Sequence, residues 1–133
     1  MSRKFQAALA VIGLLGAAVP VWAHHAIQAQ FDFEKPVQVT GVLTKVEWID
    51  PHAYFTLDVK DASGQVKPWA FETFGPGGLR RAGLSKTGFF KVGDTYTANG
   101  FAAKDGSPSA WLKDFKFPDG KIVTIWYGDP NDK

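Results

Sequence analysis

Three histidines are the residues of this chain best suited to chemistry, and their positions are more informative than their number. His24 and His25 follow Val21-Trp22-Ala23, and His52 follows Asp50-Pro51. A chain cut after Ala23 begins with His24, which then offers two nitrogens at once, its free α-amine and its own imidazole. A second imidazole completes a T-shaped set of three nitrogens, the arrangement called a histidine brace. Nitrogen ligands in tetragonal geometry suit Cu(II) best among the first-row ions, so copper is the expected cofactor. His52 is the natural distant ligand, because Asp50-Pro51 fixes a turn that presents it at the start of a strand. His25 is the third candidate. The plain alternative is that His24 and His25 are solvated tail residues and that His52 is a hydrogen-bonded turn residue.

Carboxylates near His52 in the sequence are Glu47, Asp50 and Glu72. Asp50 and Glu72 are candidates for the shell that orients the imidazole, whereas Glu47 reads as a solvated charge on a strand face. Glu72 sits among Trp69, Phe71 and Phe74, where an unpaired carboxylate is costly. Arg80 or Arg81 is an available partner for it. No Gly-x-Ser-x-Gly elbow, phosphate loop or His-Glu-x-x-His motif is present, and the absence of cysteine removes a thiol nucleophile. The expectation is therefore a binding protein rather than an enzyme.

The elements that must position these residues begin with an export signal. Met1-Ser2-Arg3-Lys4 is a positive start, Phe5 to Val19 is uncharged and, apart from Gln6, apolar, and Pro20 precedes a small-x-small site ending at Ala23. This is the pattern of a cleaved secretory signal over residues 1–23, with an apolar run too short for a membrane span. The expected destination is the periplasm or the medium. Lys and Arg number 15 and Asp and Glu 13 in the whole chain. Arg3 and Lys4 supply the entire excess, so the remainder is balanced, which argues against a nucleic-acid partner. With no disulfide, stability rests on packing, and the many aromatic rings can supply it.

Short β-branched and aromatic runs between Gly, Pro and Asp punctuation indicate an all-β domain over residues 37–127. It lies behind an N-terminal segment at 24–36 and ahead of a polar tail at 128–133. Strands are expected at Val37–Ile49, Ala53–Val59, Val66–Thr73, Thr95–Ala102, Ala110–Phe117 and Lys121–Trp126, with a helical turn at Leu79–Leu84. In the first, Val37 and Val39 share one face and Val42, Val46 and Trp48 the other, which places a bulge or coil at Gly41. Pro68 puts the start of the third strand on an edge. A long coiled strand, two more, a short helix and then a further set is the order of a small OB-like Greek-key β-barrel of five to six strands. An open β-sandwich is the rival.

Several segments together resemble an exported bacterial family, the domain-of-unknown-function family 6152. They are His24-His25-Ala26, Phe31-Asp32, Thr40-Gly41-Val42, Glu47-Trp48-Ile49-Asp50-Pro51-His52, Trp69-Ala70-Phe71-Glu72, Leu79-Arg80-Arg81-Ala82-Gly83, Val92-Gly93-Asp94, Gly100-Phe101-Ala102-Ala103-Lys104-Asp105-Gly106 and Pro118-Asp119-Gly120. The resemblance implies export and architecture, and no established activity. The family motif is usually Asn-Pro-His; Asp50 here adds a negative charge beside His52. Two further readings compete with copper binding. One is a non-enzymatic OB-type module for another exported protein, a glycan or a small ligand, using exposed aromatics among Trp48, Tyr54, Trp69, Trp111 and Trp126. The other is an oxidative enzyme built on the same metal, for which no substrate platform is evident.

Overall fold

The computed structural model describes residues 26–128. A helical turn at 26–30 leads into six strands: β1 (Phe31–Glu47), β2 (His52–Lys60), β3 (Val66–Phe74), β4 (Thr95–Ala103), β5 (Ser109–Lys116) and β6 (Ile122–Thr124). The only other helix among the described residues, Pro76–Arg81, joins β3 to β4. The sheet order is β3-β2-β1-β4-β5-β6, and a parallel pairing of β3 with β5 closes the first five strands into a ring. This is the expected all-β, OB-like barrel with its helix between strands 3 and 4; closure excludes the open sandwich.

The strand β2 shows why the pattern closes this way. Ala53, Phe55 and Leu57 are fully buried, while Tyr54 and Thr56 face outward. The inward set meets Leu43, Phe71, Ala98, Ala110, Leu112 and Phe115 in the barrel core. Phe55 contacts Phe115 edge to face at 5.0 Å. The turn to β3 is held by Asp61, whose carboxylate accepts from Ser63 N, Ser63 Oγ and Gln65 N at 2.9, 2.6 and 3.0 Å. Pro68 pairs only with Asp58 of β2, and the pairing of β3 with β5 begins at Ala70, so the proline does occupy an edge.

Two expectations for β1 need correction. It begins at Phe31, six residues before Val37, because Phe31 pairs with Ala103 of β4 and is buried to 1% exposure. The charged pair Glu34-Lys35 and the ladder-breaking Pro36 conceal this start. The change of phase is also not at Gly41. Val37 and Val39 pack against the core and Leu43 is buried in it, and the register then shifts between Leu43 and Lys45, which returns Val46 and Trp48 to the same core. Val42 remains 39% exposed. Gly41 answers a different need: a Cβ there would lie 2.5 Å from the Asp58 carbonyl oxygen, so β2 can approach only a glycine.

The helix likewise starts earlier than the expected Leu79, with Pro76 in its first turn and Leu79 fully buried. It ends in a Schellman closure, Gly83 N to Arg80 O and Leu84 N to Leu79 O, with Gly83 at φ 81°.

A second apolar cluster lies outside the main core. Ile27, Phe31, Phe101, Ala103, Trp111 and Trp126 form it, with Phe33 and Phe74 packed against them. It binds the entering and leaving ends of the chain to the barrel at the point where β4, β5 and β3 meet.

Candidate functional site

His52 opens β2, directly after a cis Asp50-Pro51 bond, and pairs with Phe74 at the end of β3. Two residues along, Tyr54 pairs with Glu72. Because side chains alternate along a strand, His52, Tyr54 and Glu72 share the outward face, with Glu72 diagonal to His52. The contact is made: His52 Nδ1 and Glu72 Oε1 are 2.5 Å apart. The side chains are only 20% and 12% exposed, so this is a shielded bond and not a surface ion pair. An ionised carboxylate can only accept, so Nδ1 is the donor, and in the neutral imidazole Nε2 is the nitrogen left with a lone pair.

Tyr54 stands opposite the same carboxylate in the register of β2 and β3. Burial, followed by the charge of Glu72 and the hydrogen bond to it, raises the Tyr54 phenol above its usual value of 10.0, with Glu47 adding to the effect. A phenol that holds its proton more tightly in the folded state stabilises the fold fully below the unfolded pKa. That contribution disappears as pH rises through the folded value. Chemical denaturation between pH 8 and pH 11.5 is therefore expected to show the wild-type chain losing stability above about pH 10. Tyr54→Phe should lack that component of the loss; parallel curves for the two proteins would refute the raised phenol.

The remaining predicted residues are placed as follows. Asp50 is beside His52 in sequence and is not its partner; its Oδ1 lies 2.6 Å from where a Cβ on Gly75 would stand, so the loop before β2 packs on the loop after β3. Glu47 pairs with Lys45 at 2.9 Å on the exposed surface, as its sequence position implies. Neither Arg80 nor Arg81 reaches Glu72; both are exposed on the helix, and His52 takes the carboxylate instead. His24 and His25 lie outside the described residues. Among the described residues there is no group of three or more His, Cys, Asp or Glu that could hold a metal ion.

Sequence reasoning missed the part played by Trp111, which is fully buried and lies edge-on to His52 with ring centroids 5.3 Å apart. It is also edge-on to Phe74 at 5.4 Å and tilted to Phe31 at 6.0 Å. The parallel pairing Glu72↔Trp111 puts it on the same face as the carboxylate. Trp111 thereby joins His52 to the second apolar cluster, which contains Ile27.

A sequence model of the family of unknown function DUF6152 matches residues 10–112. Among curated proteins none matches the sequence. Similar solved structures include two crystal structures of Rim1, a mitochondrial single-stranded DNA binding protein from S. cerevisiae. The first has 12% identity and a TM-score of 0.48, and the second 13% and 0.45; both cover 72% of this chain and 98% of the other.

Proposed function

The chain belongs to this family of unknown function, and from the site it carries we propose that it is an exported copper-binding protein, delivered to the periplasm and processed to begin at His24. In this reading the His24 amine and imidazole supply two nitrogens and His52 Nε2 the third, with His25 close by. The single observation that supports it is the hydrogen bond between His52 Nδ1 and the shielded Glu72 carboxylate. A carboxylate on one imidazole nitrogen fixes the tautomer and ring orientation and makes the other nitrogen a stronger donor, as behind many metal-ligating histidines. Geometry is also compatible. Ile27 shares a cluster with Trp111, whose ring is 5.3 Å from that of His52. The three residues from His24 to Ile27 can span about 10 Å. The balanced charge of the chain beyond Ala23 favours a metal or protein partner over a nucleic acid.

The test is calorimetric titration of Cu(II) into the protein beginning at His24, beside a version with one residue added ahead of it. One ion per chain is expected, with affinity falling by at least about tenfold when the added residue removes the α-amine from His24. Equal binding by both forms, or none by either, would reduce His24 and His25 to tail residues.

A further inference from the structure

The helical turn at 26–30 is pinned to the barrel by Ile27, which is buried in the second apolar cluster, and by Lys104 in the turn from β4 to β5. Lys104 donates from its backbone nitrogen to Gln30 O at 2.9 Å and from Nζ to Gln28 O at 2.6 Å. The last carbonyls of a helical turn lack partners within it, and a lysine amine suits them by hydrogen bonding and by charge. We propose that Lys104 is a positioning residue for copper binding: it holds this turn so that a chain beginning at His24 leaves the fold beside His52. The inference rests on the copper reading above and names a residue, far from the ligands in sequence, that sets their approach.

Lys104 reaches across from a stiff support. Gly106 N donates to Ala103 O at 3.2 Å with Gly106 at φ 77°, and the Asp105 carboxylate accepts from Ser107 N and Oγ at 2.9 and 2.6 Å. The neighbouring carboxylate is thus engaged within its own loop, while Lys104 crosses to the N-terminal turn. β1 offers little other hold there, since after Phe31↔Ala103 its pairing with β4 lapses until Pro36. With the turn in place the free arm ahead of Ile27 is residues 24–26. Fraying back to the backbone bond at Gln30 would lengthen it to residues 24–29. The effective concentration of a tethered ligand at its partner falls roughly as the −3/2 power of tether length, so the doubled arm weakens joint chelation about threefold.

Lys104→Met and Lys104→Arg are compared with wild type in the chain beginning at His24, each with His52 present and with His52→Ala. Lys104 is exposed, so its loss should leave the melting temperature unchanged. In the metal-free protein, NMR order parameters of the Ile27 and Gln28 backbone should fall in Lys104→Met and be restored in Lys104→Arg, which can still donate to Gln28 O. Competition titration of Cu(II) should show Lys104→Met binding about threefold more weakly and Lys104→Arg close to wild type. With His52→Ala there is no second imidazole to meet, and Lys104→Met should make no further difference. Wild-type rigidity at Ile27 and Gln28 in Lys104→Met, wild-type affinity, or an equal loss with and without His52 would each overturn the inference and leave the copper reading standing. Failure of wild type itself to bind Cu(II) would overturn both, because no ligand would remain to be positioned.

Discussion

Truncating Trp111 to alanine is expected to cost about 3–5 kcal/mol of folding stability. The residue has no exposed surface, and it stands where three strands meet, paired with Phe101 of β4 on one side and Glu72 of β3 on the other. Its ring touches those of Phe31, His52 and Phe74, so the void would open into the second cluster and beside the histidine together. Set against the roughly 5–15 kcal/mol of a typical domain, the loss leaves the barrel close to its folding threshold. Urea denaturation should show a much lower midpoint with a similar slope, the sign of lost stability without a changed unfolded state. Trp111→Phe gives the useful contrast. It keeps a ring in the site and removes a buried donor whose lack of a partner costs about 1–3 kcal/mol. The gain from removing it offsets part of the lost volume, and Trp111→Phe should therefore be far milder than Trp111→Ala. Equal damage from the two substitutions would mean that the indole N–H is already bonded within the chain.

The features legible in the sequence are those fixed by neighbours along the chain. The alternation of Ala53, Phe55 and Leu57 with Tyr54 and Thr56 identifies a half-buried strand directly, and Asp61 to Gly64 announces its turn. Once that turn is known, the antiparallel register follows, and it sets Tyr54 opposite Glu72 and His52 opposite Phe74. The pairing of His52 with Glu72 was therefore within reach of sequence reasoning, and both were singled out there. Features set by contacts between distant segments were not legible. Gly41 reads as a phase change because a glycine within a strand has several uses, and only the approach of Asp58 decides among them. Gly75-Pro76-Gly77-Gly78 reads as a breaker, yet most of it is helical; a Cβ on Gly78 would fall 2.4 Å from that of Phe74, so close packing on β3 requires the residue that propensity disfavours. Trp111 illustrates the same limit at the site. Its place beside His52 depends on the parallel closure of β3 on β5, and no local turn sets that register.

Replacing Glu72 with glutamine is expected to lower Cu(II) affinity by about 10–100-fold, the usual consequence of losing the partner behind a ligating histidine. The substitution is close to isosteric, and glutamine can still accept from His52 Nδ1 and Tyr54, so the apo fold should change little. What it removes is the negative charge that favours one tautomer and strengthens the bond to Nδ1. Glu47→Gln is the matched control: it also removes a carboxylate near Tyr54, but one that is exposed and paired with Lys45, and it should leave affinity almost unchanged. Because both the amine and the imidazole must be unprotonated to bind, affinity in every variant should fall as pH is lowered, with Glu72→Gln below wild type throughout. Isothermal titration of the chain beginning at His24 reads all three proteins. Loss on Glu72→Gln alone would show that the carboxylate acts through His52. Equal affinity in all three would remove His52 from the ligand set and leave the Glu72 contact as a structural hydrogen bond that holds β2 against β3.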